Sequence, residues 1–131
     1  MNNHKTKIAV IDDDKDIVFL MQRRLRKENF LVSFAYSGRA GLEVISRENP
    51  ALIILDLGLP DMDGRDVLTN LKRNKSTKDI PVIILTGKDE QIERDYGMEL
   101  GAYEYITKPY DGDYLVRIIN RVLDKRKRGE N

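Results

Sequence analysis

The 131-residue chain contains no cysteine, one histidine and four prolines. Without cysteine there is no disulfide framework and no thiolate-held metal. The lone histidine, His4, stands in the N-terminal MNNHKTK segment and is read as neither a catalytic base nor a phosphodonor. No apolar stretch approaches the roughly 18 residues of a membrane span. MNNHKTK also lacks the apolar core of a secretory signal, so a cytoplasmic protein without membrane contact is the expectation. An excess of either charge is missing too: 23 Lys and Arg stand against 22 Asp and Glu, a formal net charge of +1. That balance argues against direct nucleic-acid binding. The basic run Lys125-Arg126-Lys127-Arg128 is read as charge complementing a helix C-terminus. No G-x-x-x-x-G-K-[ST] loop occurs, and Gly38-Arg39-Ala40-Gly41 does not match a dinucleotide fingerprint.

What is present is an alternation of strand-like and helix-like segments, the pattern of an α/β fold with a parallel sheet. Length fits one domain over 7–126, with a flexible N-terminus at 1–6 and a charged tail at 127–131. The strands are expected at Ile8–Ile11, Leu31–Tyr36, Leu52–Leu55, Val82–Leu85 and Tyr103–Ile106. Between and after them run five helices. The first turns Ile17, Leu20, Met21 and Leu25 inward. The second, capped by Ser37, spans Ala40–Glu48 with Leu42 and Ile45 inward. The third buries Val67, Leu68 and Leu71. The fourth starts near Asp89, turns Ile92 and Tyr96 inward, is weakened by Gly97 and stops at Gly101. The fifth carries Leu115, Ile118, Ile119, Val122 and Leu123. Asp14 and Asp16 are read as helix-capping residues, and Asp61-Met62-Asp63-Gly64 as the turn into the third helix rather than a calcium loop.

Four of the five strands end on chemistry: IAVI-DDD, LIIL-DLG, VIIL-TGK and YEYI-TKP. The second ends in Tyr36-Ser37-Gly38 and carries none. Doubly wound sheets bind ligands at the C-terminal ends of strands, beside the point where strand order reverses. An order of 2-1-3-4-5 sends the second strand to an edge and makes the four loaded strands neighbours. Asp56 then lies centrally, flanked by Asp12 and Asp13 on one side and by Thr86 and Lys108 on the other. Clustered carboxylates repel, and a hard divalent cation such as Mg²⁺ (or Mn²⁺), which prefers oxygen ligands, relieves the repulsion. Phosphoryl transfer needs mainly positioning and charge neutralisation. A carboxylate can act as the nucleophile, and Asp56 is the best placed to do so.

The stretches VIDDD, LIILDLGLPDMDG, IPVIILTGKDE and GAYEYITKPY, in this order and spacing, resemble the response-regulator receiver domain of two-component signalling. The resemblance covers about Lys7 to Arg126. It implies a flavodoxin-like five-stranded sheet and Asp56 as the phosphoacceptor. Asp13 would ligate Mg²⁺ directly, Asp12 largely through water, and the Gly58 carbonyl would add a ligand. Thr86 and Lys108 would hold phosphoryl oxygens, and Lys108-Pro109 would be cis. It further implies a switch in which Thr86 moves inward and Tyr105 follows, altering the face formed by the fourth helix, fifth strand and fifth helix, with Lys88, Arg94, Tyr105 and Arg117. The implied donor is a sensor histidine kinase or phosphotransfer protein. The implied output is a downstream protein or an effector domain outside this sequence, with a phosphorylation-dependent homodimer as one form it takes. Tyr103-Glu104 departs from the acidic pair of the DNA-binding subfamily, which weakens any carry-over of that subfamily's dimer salt bridges. Gly58 and Gly87 stand where larger residues are common, which suggests easier water access and a short-lived phosphoryl group. Two alternatives remain open here. One is a haloacid-dehalogenase-type phosphatase or phosphotransferase, which needs a second aspartate where Gly58 stands. The other is a pseudo-receiver that only binds. In the leading reading the chain catalyses its own phosphorylation and dephosphorylation and is not an enzyme on an external metabolite.

Overall fold

A computed structural model describes residues 5–87 and 90–129. Five strands, β1 (Lys7–Ile11), β2 (Leu31–Ala35), β3 (Leu52–Leu55), β4 (Val82–Thr86) and β5 (Glu104–Thr107), alternate with five helices. These are α1 (Lys15–Lys27), α2 (Gly38–Glu48), α3 (Gly64–Arg73), α4 (Gln91–Glu99) and α5 (Gly112–Lys127). All strand pairs are parallel and the order is β2-β1-β3-β4-β5. β1, β3 and β4 read as unbroken apolar runs because helices cover both of their faces. One apolar cluster joins Ile11, Ile53, Leu55 and Ile84 to Val44, Ile45, Val67, Leu68 and Leu71 of α2 and α3, and it includes Tyr105. The other joins Ile8, Val10, Ile54, Ile83 and Leu85 to Val18, Met21 and Leu25 of α1 and Leu115, Ile118, Ile119 and Val122 of α5.

The starts of α1, α2, α3 and α5 are fixed by side-chain caps. Asp14 accepts from the N–H groups of Asp16 and Ile17, Ser37 from Ala40, Asp63 from Arg65, and Asp111 from Asp113 and Tyr114. Asp61 caps α2 from outside the helix. Its two carboxylate oxygens accept from Gly38 N–H at 2.7 Å and Arg39 N–H at 2.9 Å. Those two bonds hold its carboxyl below the usual carboxylate range. The loop after β3 therefore caps α3 through Asp63 and is tied to α2 through Asp61.

Strand and helix ends differ from the sequence expectation by one or two residues, the ordinary spread at element termini. Two faces differ more. Leu20 is 59 % exposed and Val18 is buried instead. The stripe of α1 centres on Val18, Met21 and Leu25, and at 100° per residue Leu20 lies roughly 130° from that centre. In α4, Ile92 and Tyr96 are exposed, and the buried residue is Gly97. The inner face of α4 holds a glycine where an apolar side chain was expected. The reading of Asp89 as the start of that helix, and the roles given to His4 and Lys88, lie outside the described residues.

Gly64 is the first residue of α3 and lies against the end of β3. A Cβ there would stand 2.5 Å from the Asp56 carbonyl oxygen and 2.6 Å from Leu57 Cα. Backbone atoms cannot yield as a side-chain tip can. Gly64→Ala is expected to lower stability by about 1–3 kcal/mol, measured by urea unfolding, whereas Gly58→Ala, with open space around its Cβ, should stay within about 0.5 kcal/mol of wild type.

Candidate functional site

Backbone hydrogen bonds pin the candidate residues across the sheet. Asp12 N–H donates to Ala35 O at 3.1 Å, Asp56 N–H to Ile11 O at 2.9 Å, and Lys108 N–H to Thr86 O at 2.8 Å. Each residue one step past a strand end is thus tied to the strand beside it. The register Leu55↔Ile84 places Asp56 one position beyond that pair on β3 and Thr86 two beyond it on β4. Lys108 follows β5 directly, and its bond to Pro109 is cis.

Asp12, Asp13 and Asp56 each offer a carboxylate oxygen within 4.8 Å of the others. Asp12 and Asp56 are buried, while Asp13 is exposed. Lys108 Nζ reaches into the group, 2.7 Å from Asp12 Oδ2 and 3.2 Å from Asp56 Oδ2. The other oxygens meet backbone donors: Asp14 N–H lies 2.9 Å from Asp12 Oδ1, and Gly58 N–H 3.3 Å from Asp56 Oδ1. Burial pushes the Asp12 carboxyl above its usual range, against the hydrogen bonds from Lys108 and Asp14, and the nearby Asp56 charge adds to the rise. For Lys108 burial acts downward, but its hydrogen bond to Asp12 and the charges of both aspartates prevail, so the ammonium is held above its ordinary value.

Thr86 is buried at the end of β4. Tyr105, on β5, is also buried, at 7 % exposure. The Arg94 guanidinium stands 5.2 Å from the centroid of its ring, and Arg94 Nη2 donates to Thr107 Oγ1 at 2.6 Å. Arg117, on α5, is exposed over the Tyr114 ring. The structure therefore brings Asp12, Asp13, Asp56 and Lys108 into one cluster. Thr86 and Tyr105 lie on the adjoining strands, and Gly58 is in the loop just after Asp56. The Asp61 tie and the close approach at Gly64 were not anticipated. The dipeptide Asp63-Gly64 marks a turn in the sequence, but nothing local shows that its glycine faces the Asp56 backbone.

Three oxygen donors on one rim, one of them open to solvent, suit a hard divalent cation. No helix among the described residues is long and apolar enough to cross a membrane.

A five-stranded parallel sheet with an acidic pocket at its strand C-termini defines a doubly wound, flavodoxin-like protein. A sequence model described as the response regulator receiver domain matches residues 8–120. The chain belongs to that family. Solved structures agree in fold. A CheY-like response regulator receiver domain protein from Methanospirillum hungatei JF-1 is 27% identical with a TM-score of 0.90, covering 96% of this chain and 99% of that one. The BeF3-activated N-terminal receiver domain of RstA from Klebsiella pneumoniae is 30% identical with a TM-score of 0.85, covering 90% and 98%. A Francisella receiver domain is 31% identical with a TM-score of 0.85, covering 94% and 99%. Receiver domains are signalling modules rather than metabolite-converting enzymes, and they bind Mg²⁺ at an acidic pocket.

The raised Asp12 carboxyl gives a pH test. Its protonated form is favoured in the folded state, so the stability it contributes is fully present below the unfolded value of 3.8 and lost as pH rises through the higher folded value. Asp12→Asn, neutral at every pH, should have a higher Tm than wild type at pH 7 in metal-free buffer. The advantage should shrink as pH falls toward 4; a difference that is flat with pH would contradict the assignment.

Proposed function

We propose that the chain is a phosphoacceptor signalling module that receives a phosphoryl group on Asp56 from a phosphohistidine of a sensor kinase or phosphotransfer protein. The observation that carries this reading is the placement of the Lys108 ammonium against both Asp12 and Asp56 within a three-carboxylate group. Asp13, Asp12, Asp56 and the Gly58 carbonyl would hold Mg²⁺, which supplies charge neutralisation at the phosphoryl oxygens.

An oxygen of the Asp56 carboxylate attacks phosphorus in line with the departing imidazole. The O–P bond forms as the P–N bond breaks, and the bonding pair returns to the imidazole nitrogen, which takes up a proton. Asp56 is suited to this because its backbone is fixed to β1 while its side chain reaches the cluster. Lys108 faces the charge that the incoming group brings, and Thr86 supplies a hydroxyl to a phosphoryl oxygen. In hydrolysis, water attacks phosphorus and the Asp56 carboxylate leaves, so the chain catalyses both halves of its own cycle. Tyr105 and Thr86 form the switch, with α4, β5 and α5 as the face that changes. Such a switch works only where the phosphoryl group interacts differently with the two states. The cytoplasm, where kinases of this type present their phosphohistidine, is the proposed location, and 7–126 the proposed receiver unit.

Incubation with acetyl phosphate and Mg²⁺ should add one phosphoryl group by intact mass. The gain should vanish in Asp56→Asn and in chelator; modification that survives Asp56→Asn would sink the assignment. The lifetime of the group depends on cover over the site. Gly58 and Gly87 have open space where a Cβ would stand, so the Cβ of Gly58→Asn meets no neighbouring atom. It is expected to slow dephosphorylation several-fold in a phosphate-release assay, about 1 kcal/mol in barrier, and an unchanged rate would remove the water-access argument.

A further inference from the structure

Helix α4 is lightly held. Gly97 is its one buried residue among those described, its N-cap Glu90 makes no side-chain cap bond, and Ile92, Tyr96 and Met98 are exposed. Glycine is also a poor residue for a helix interior. The buried position of α4 is therefore occupied by the residue that weakens the helix most, short of proline. Packing explains the choice. A Cβ at position 97 would lie 2.9 Å from Ile84 Cδ1 and 3.3 and 3.4 Å from Cδ2 and Cε2 of Tyr105. Arg94, one turn earlier, stands over the same ring and bonds Thr107 on the same strand. The Tyr105 ring thus meets α4 at two places, and one of them is bare backbone.

We infer that Gly97 is a positioning residue for Tyr105: its missing side chain is the socket that admits the buried ring against α4, coupling the ring's position to the seating of that helix. The inference rests on the reading of Tyr105 as the switch. Ile84 offers a flexible tip that can turn aside. The tyrosine ring is rigid beyond its two torsions, so a methyl group at 97 requires the ring to shift by a few tenths of an ångström or α4 to lift. Either change disfavours the arrangement seen here, in which the ring is buried and α4 is docked. The socket makes α4 sense the ring through steric contact, with no side chain of its own at that point.

The test is a thermal-unfolding cycle with Gly97→Ala made in wild type and in Tyr105→Ala. Tyr105→Val serves the second arm if Tyr105→Ala does not melt cooperatively. Alanine is the better helix former, so once the ring is gone Gly97→Ala should raise Tm by about 2–5 °C. With Tyr105 present it should lower Tm. The same sign in both backgrounds overturns the socket. The second readout is beryllofluoride with Mg²⁺ as the phosphoryl mimic. Gly97→Ala should weaken its apparent affinity by at least about 5-fold and have no effect when Tyr105 is replaced; equal weakening in both backgrounds would contradict the coupling. If wild type does not bind beryllofluoride, the phosphoacceptor reading fails and the switch with it, whatever the cycle shows. A cycle without sign reversal overturns the socket alone, even where beryllofluoride binds.

Discussion

Placing three carboxylates within 4.8 Å of one another, two of them buried, is the constraint around which the rest of the molecule is arranged. Like charges at that spacing oppose folding unless a cation stands among them. Lys108 is that cation, and it reaches both buried carboxylates from the far side of the sheet. Its reach depends on β5 being two strands away from β3, and on Lys108 N–H being tied to Thr86 O. The topology is therefore part of the electrostatics. Another strand order would leave Asp12 and Asp56 facing each other without the ammonium.

That arrangement places function against stability. Burial pushes the Asp12 carboxyl above its usual range even with Lys108 at 2.7 Å. A site that is electrostatically complete would have little use for an incoming metal or phosphoryl group. Under the proposed function, incomplete compensation would give a metal and a phosphoryl group something to bind, with the apolar clusters on both faces of the sheet supplying the stability that tolerates it. The same division appears in the helices. α2, α3 and α5 bury continuous stripes, whereas α4 buries a glycine and leaves its large apolar residues in solvent. The helix with the least packing adjoins the proposed switch, where a small shift in balance can move it.

Much of this was legible in the sequence because it follows from short-range pattern. The apolar runs of β1, β3 and β4, their loaded ends and the uncharged end of β2 were enough to order the sheet and gather Asp12, Asp13, Asp56 and Lys108. The caps at Asp14 and Ser37 were legible for the same reason, since the donor and acceptor lie within three residues of each other. What escaped depends on contacts between distant segments. Leu20 lies on the far side of α1 from its buried stripe, and periodicity with one extra apolar residue does not say which of two faces wins. Ile92 and Tyr96 look like a buried pair until Gly97 is seen to hold the inner face against Ile84 and Tyr105. Gly64 and Asp61 read as turn residues, and only the fold shows that one lies against the Asp56 backbone and the other caps α2.

The most direct check of the central claim is chemical. An acyl phosphate on an aspartate is reduced by borohydride to homoserine, while phosphate esters and phosphoramidates are not. After phosphorylation with acetyl phosphate, borohydride reduction and peptide sequencing, homoserine should appear at position 56 and nowhere else. Homoserine at position 12 or 13, or a phosphorylated chain that yields none, would contradict the account.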